Sequence, residues 1–457
     1  MSARSLRPSG FDRIEGLADG FLLLALGIIF SGLDRLIASR FSALHYGFDL
    51  AMVGCICIVL VQKRLSQLAR GPVAAIYVAW VLLYFAWGVA VAPDRAAVLP
   101  AAVRGLELNL LIIGAIVTAV RDRASLHRLA NVIQVMVLGN LAVALVQAAH
   151  PEITSLIAKA TNASMYALQR PAGLWLNPNE AGIAYLFAIL LASWASPSLK
   201  WLGRSGAALG IFLTASRGAM FPLVAYGVIM LFIYFRHRLP RLRLRSLALM
   251  TGIALILIGV GVGAALALHA PGSRVLAEAV RYPVSRFVNF AEATPEGNDA
   301  PRVPLAIYWF KRALSGPFQG SGVFSFQGNG TTTAGAHNVF LTVWGETGVL
   351  SLLLYVAVLA TGIRRSLSRR LAAFDRLAIS AIWSLYLVEA FLWHNQFTSV
   401  VGILIIGLLL CLPNAVDRAS TSDAVTTPTS DRMRAVTVLR SFLAQSQDRR
   451  PSVSRDR

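Results

Sequence analysis

Runs of about 17–25 apolar residues recur along almost the whole chain, and that is the length a helix needs to cross a bilayer. Such a chain has few options, because inside hydrocarbon every backbone N–H and C=O must find a partner within the protein. The composition agrees, with 56% of the 457 residues hydrophobic and only 14% charged, where a water-soluble domain carries about a quarter charged. The expected fold class is an all-α polytopic integral membrane protein of about twelve transmembrane helices. They are placed at 16–33, 46–62, 73–91, 98–120, 129–149, 180–196, 203–216, 218–235, 247–269, 338–361, 377–393 and 399–413. The first run lacks a small-residue cleavage site and is read as a span rather than a signal peptide.

The connections between the runs set the orientation. Placing the N-terminus in the cytoplasm puts "QKRLSQLARG", "RDRASLHR", "RHRLPRLRLRS" and "GIRRSLSRRLAAFDR" on the cytoplasmic side, all rich in Arg or Lys. The opposite short connections, such as "VAPDRA" and "HNQFTS", carry two basic residues at most. This is the positive-inside bias, and it predicts both termini in the cytoplasm. The net charge of +20 sits in these short clusters, with no aromatic-interleaved basic domain, so it points to membrane lipids and not to nucleic acid. Cys55, Cys57 and Cys411 lie within apolar runs at no metal spacing and read as small apolar side chains.

Two connections on the outer side are long: 150–179 and 270–337, the latter between the ninth and tenth spans. Loops of this length on a compact bundle are more often functional than decorative. Within the second, 303–314 has apolar residues at helical spacing and is read as an amphipathic helix on or near the outer membrane surface, followed by a Gly-rich turn, "GPFQGSG". The expected organisation is a transmembrane domain over 1–413 and a polar, disordered cytoplasmic tail over 414–457, with one short helix at 433–445.

The outer side holds His45, His150, His269, His337 and His394, with Arg170, Arg217, Arg274, Arg281, Arg286 and Arg302 among its arginines. The histidines are scattered and match no metal-ligand spacing, so no metal and no cofactor is expected. In "QRPAGLWLNPNEAG", residues 169–182, a loop with a helix cap at Asn179 or Glu180 accounts for the polar run but not for Arg170. In "LTASRGAM", residues 213–220, Arg217 sits in a hairpin so tight that interfacial snorkelling competes with anion binding as its explanation. In "AHNVFLTVWGETG", residues 336–348, His337 and Asn338 stand where a span begins, with Glu346 and Gly348 further in; a helix cap competes with a catalytic role. Several arginines and one histidine facing one compartment suit a pyrophosphate-bearing lipid substrate and a hydroxyl acceptor that needs a base near neutral pH.

The order and sidedness of "RPAGLWLNPNEAG", "LTASRGA", "GPFQGSGVFSF" and "AHNVFLTVWGETGVLSLLLY" resemble the O-antigen ligase and polymerase superfamily of bacterial envelope glycosyltransferases, over roughly residues 165–410. Arg170 to Leu174 fits its R-x3-L pattern and His337 to Gly348 its H-x10-G pattern, whereas after Arg217 the fourth residue is Phe221 and not Leu. The resemblance implies a metal-independent transferase with a GT-C-like membrane architecture in the bacterial inner membrane, its active site facing the periplasm. The implied donor is a glycan on undecaprenyl pyrophosphate, and in the ligase branch the acceptor is a sugar hydroxyl of lipid A–core. It further implies His337 and Arg217 as catalytic residues. Arg170, Arg286 or its neighbour Arg281, Asn338 and Asn179 are the implied binding residues for pyrophosphate and glycan.

Within the superfamily a polymerase that extends lipid-linked glycans is the alternative. A transporter or lipid-linked oligosaccharide flippase is the alternative of another class, but it calls for repeat symmetry and ionisable residues along a pathway. The clear intramembrane pair, Arg104 and Glu107, is spaced i, i+3 and is read as a mutual salt bridge.

Overall fold

The computed structural model describes residues 10–63, 72–160, 170–175, 177–216, 219–220, 222–224, 226–228, 302–327, 335–392 and 396–426. Among them the regular structure is helical: α1 (Gly10–Ser31), α2 (Leu33–Arg40), α3 (Ser42–Lys63), α4 (Pro72–Val91), α5 (Arg95–Ala119), α6 (Arg123–Ala149), α7 (Pro151–Ala160), α8 (Pro178–Leu191), α9 (Pro197–Thr214), α10 (Arg302–Ser315), α11 (Val339–Ser366), α12 (Ala373–Leu392) and α13 (Val400–Thr426). Seven of these, α1, α3, α4, α5, α6, α11 and α13, are long and apolar enough to cross a membrane. The expected count of twelve is therefore not reached among the described residues. The sixth, seventh and eleventh expected spans fall on α8, α9 and α12. The first is only 14 residues long, and the other two carry charges such as Lys200, Arg204, Asp375 and Glu389. The eighth expected span lies mostly, and the ninth wholly, outside the described residues.

Two further expectations change. Helix α13 runs through Pro413 to Thr426, so the polar tail expected from 414 begins as helix; the expected helix at 433–445 lies outside the described residues. The connection 150–179 is not all loop, because α7 and a single 3-10 turn at Gly173–Trp175 occupy part of it.

Helix α8 shows how burial follows from composition. Its stretch "EAGIAYLFAILL" is apolar all round after Glu180, and every residue from Glu180 to Leu191 is buried. It packs on α6, α9, α12 and α13. The opposite pattern marks the periphery. On α3, Leu44, Tyr46, Leu50 and Val53 are exposed, as expected of side chains solvated by lipid.

Direct contacts show which helix ends lie together. Tyr84 near the end of α4 meets Glu346 near the start of α11, and Gly322 packs against Ala92 just before α5. Arg104 of α5 bonds Asp49 near the start of α3. Phe30 and Ser31, at the end of α1, bond Trp175 and Asn140. Gln147 at the end of α6 holds Gly173, and Gly182 near the start of α8 abuts Ser216 just after α9. One end of the bundle thus gathers Arg170, the turn after α9 and the His337–Asn338 step. The other end carries Arg121 paired with Glu15 and Asp19, and Arg123 with Asp375.

Helix α11 is broken, and the break organises the first of these ends. Gly348 has φ 85° and ψ 173°, far from helical values. Interrupting a helix strands backbone groups that must be paired again. Here the loop between α10 and α11 replaces the missing partners. Gly345 O accepts from Ser321 N (2.8 Å), Glu346 O from Gly322 N (3.0 Å), and Val349 N donates to Pro317 O (2.9 Å). Gly320 and Gly322 make the loop possible by taking φ of 77° and 96°.

A Cβ on Gly348 would stand 1.9 Å from the Phe318 carbonyl oxygen. The backbone angles belong to a region essentially reserved for glycine. Gly348→Ala is therefore expected to destabilise the protein by at least about 2 kcal/mol, read as a lowered unfolding midpoint in detergent. An unchanged midpoint would contradict this account of the break.

Candidate active site at one end of the bundle

The site is built on a loop that the sequence makes unusually well held. Gln147 of α6 accepts from the backbone N–H of Ala172 (3.0 Å) and Gly173 (2.8 Å), and its amide donates back to Gly173 O. Asn140, seven residues earlier on the same helix face, accepts from Leu174 N (2.8 Å). Gly173 has φ 62°, and a Cβ there would stand 2.7 Å from Asn140 Oδ1, so the "PAGLW" turn needs its glycine. Trp175 is buried and donates its indole N–H to Phe30 O (2.6 Å).

Arg170 leads into this clamped loop. Its guanidinium donates to Ala215 O at 3.4 Å. Ala215 closes α9 in a left-handed conformation, φ 47°, two residues before Arg217. The structure thus joins two segments that are separate in sequence, "RPAGLW" and "LTASRGAM". Arg217, Arg281 and Arg286 themselves lie outside the described residues.

His337 and Asn338 begin α11. Asn338 is its N-cap, with its side chain accepting from Leu341 N at 3.0 Å, and Thr342 Oγ1 donates to Asn338 O. The Asn338 side-chain oxygen is therefore committed to the helix start. His337, half-buried, takes φ 47° just before it. Asn179 is exposed, and its own N–H donates to Asn177 Oδ1 at 2.9 Å. The expected cap at Asn179 or Glu180 is corrected to Asn177, because only a residue outside the first turn can turn its side chain back onto the free N–H groups. Glu180 is instead buried in an ion pair.

That pair is the part of the site sequence reasoning missed. Arg35, on the short helix α2, makes a bidentate bond to Glu180 (3.0 and 2.6 Å) and also donates to Trp175 O at 3.2 Å. It ties α2, the Arg170 loop and α8 together. The available signal was a charged pair, Asp34–Arg35, directly after the first apolar run, where a plain turn needs none. Asp34 beside it is only 5% exposed, and one of its carboxylate oxygens has no hydrogen-bond partner. The expected Arg104–Glu107 bridge forms at 2.7 Å, but Arg104 also bonds Asp49 at 3.1 Å and contacts His45. Among the described residues no group of three or more His, Cys, Asp and Glu side chains is arranged to hold a metal ion.

The segment expected as an amphipathic helix at 303–314 is α10, and one face of it packs against α11. Trp309 and Ala313 are buried against Phe326 and Ala336, while Ile307, Tyr308, Phe310 and Leu314 are exposed. The Arg312 guanidinium stacks 5.3 Å over the Trp309 ring.

Two stability measurements check this construction. Arg35→Ala leaves the buried Glu180 carboxylate unpaired and is expected to cost about 3 kcal/mol, with the Arg35→Ala/Glu180→Ala double variant losing less than the two single losses summed; additive losses in detergent unfolding would count against the pair. Burial pushes the Asp34 carboxyl up to about 6, opposed by the Arg35 charge and N–H. The folded chain then holds a proton that an unfolded Asp has released, so stability falls as pH rises from about 4 to 6. Asp34→Asn, which imitates the neutral acid, is expected to stabilise by up to about 3 kcal/mol at pH 7.5 and hardly at all at pH 4. Equal effects at both pH values would contradict this.

No curated protein matches the chain closely enough to count as a relative. Residues 205–356 match the family model described as O-antigen ligase. That stretch runs from within α9 through α10 and the Gly-rich loop into α11 past its break, and so includes the Ala215 turn, His337, Asn338 and Gly348. Over these residues, and no others, the chain is similar to the O-antigen ligase family.

Proposed function

We propose that this protein is an O-antigen ligase of the bacterial inner membrane, transferring a glycan from undecaprenyl pyrophosphate to a sugar hydroxyl of lipid A–core on the periplasmic side. The observation that carries the reading is the Arg170 guanidinium on Ala215 O, directly before the Arg217 hairpin and at the same end of the bundle as His337. Arg170 at this end, joined in this reading by the arginines of the neighbouring motifs, supplies what a diphosphate leaving group requires: fixed forks of donors for negative charge that grows as the bond breaks.

In this reading the acceptor hydroxyl oxygen attacks the anomeric carbon, and the carbon–oxygen bond to the diphosphate breaks. The electron pair leaves with undecaprenyl pyrophosphate, and the hydroxyl proton passes to the His337 imidazole. Arg170, Arg217 and Arg286, with Arg281 beside it, hold the diphosphate. Asn338 acts mainly by starting α11 so that His337 keeps its place, and Asn179 lies on the exposed rim where the glycan passes. No metal takes part. Amphipathic α10, with its exposed apolar residues, rests in the outer leaflet, where both lipid substrates present their headgroups.

Purified protein with lipid-linked glycan and lipid A–core tests the reading. His337→Ala and Arg217→Ala are each expected to cut transfer by at least about 100-fold while membrane insertion is unchanged. Full activity in both variants would refute the site, and growth of lipid-linked chains in place of transfer to lipid A–core would make the protein a polymerase.

A further inference from the structure

Glu346 is fully buried, nine residues after His337 and in the helix that His337 precedes. A carboxylate without access to water is costly unless its oxygens are bonded. Both are: one accepts from the Tyr84 hydroxyl of α4, the other from the backbone N–H of Phe326 at 3.1 Å. Phe326 lies at the far end of the Gly-rich loop, and its carbonyl in turn accepts from Ala336 N at 2.9 Å. Ala336 is the residue before His337.

The carboxylate is thus two hydrogen bonds and one peptide unit from the histidine. The Phe326 ring reinforces the link, buried 4.8 Å from the Trp309 ring centroid and so close over Gly345 that a Cβ there would stand 2.1 Å from it. His337 itself is left-handed, φ 47°. A non-glycine residue persists in that conformation only when both sides of it are held. The Asn338 cap holds one side, and the Ala336–Phe326 bond holds the other.

We propose that Glu346 is a positioning residue for His337, acting through the Phe326 backbone and never touching substrate. The inference rests on His337 assisting transfer, as read above. The carboxylate serves as a bond acceptor and not as an acid or base, since it is shut away from the substrate with both oxygens occupied.

The test uses the full chain in detergent or nanodiscs, with undecaprenyl-pyrophosphate-linked glycan and lipid A–core, beside His337→Ala. Glu346→Leu is expected to lower kcat by about 100-fold with the donor KM changed less than about threefold, as for a misplaced catalytic group. Glu346→Gln keeps an oxygen for the Phe326 N–H and is expected to stay within about fivefold of the parent, with the same pH profile. Independently of transfer, diethyl pyrocarbonate labelling of His337, read by mass spectrometry, should change at least about twofold in Tyr84→Phe, which removes one of the two donors and preserves packing. The Tyr84→Phe measurement decides the matter if Glu346→Leu does not accumulate in the membrane. The proposal is overturned if Glu346→Leu keeps its kcat or loses only KM, if Glu346→Gln falls as far as Glu346→Leu, or if labelling is unchanged. Full activity of His337→Ala is a different failure, since it refutes the catalytic reading on which the proposal rests.

Discussion

A helix that must pair its backbone internally has no cheap way to stop and restart within the membrane. Helix α11 does so at Gly348, and the groups released by the break are met by the Gly-rich loop that precedes it. Much else at this end of the bundle follows from that exchange. The loop must run beside the end of α4, which fixes Val323 on Gly88 O and Gly322 against Ala92. It must then turn back toward the start of α11, which brings Ala336 onto Phe326 and leaves His337 in a left-handed step. The break and the histidine are therefore one construction, eleven residues apart in the chain.

The Arg170 loop is held by a second device of the same kind. Three polar side chains, Asn140 and Gln147 of α6 and Arg35 of α2, take up the backbone groups of 172–175 that no regular structure satisfies. Glu180 balances the charge of Arg35 and in doing so fastens the start of α8. Buried polar groups arranged with full partners specify one arrangement, and left without partners they would forbid it. A loop so anchored can hold Arg170 over the end of α9 with little freedom, as its proposed role at a diphosphate headgroup requires.

Legibility in the sequence followed the range of the interaction. The long apolar runs of α1, α3, α4, α5, α6, α11 and α13 were visible because spanning depends on local composition alone. The α10 helix was visible from its spacing, but its packing on α11 through Trp309 was not, because that depends on where Phe326 arrives. The cap of α8 lies two or three residues before the expected Asn179 or Glu180, since the run "NPNE" offers several polar residues and only the backbone angles choose among them. Arg35 escaped notice because its partner, Glu180, is 145 residues away.

By itself, the sequence determined that this chain is a bundle of membrane helices, and its motifs pointed to the superfamily, because hydrophobic run length and short glycine, arginine and histidine patterns are local properties. Only the tertiary structure decided that Arg170 meets the Ala215 turn, that Arg35 and Glu180 brace the loop between them, and that Glu346 lies beneath the backbone leading to His337. The physical reason is that each of these rests on a hydrogen bond between distant segments, and such a bond exists only once the helices have packed and excluded the water that would otherwise have taken its place.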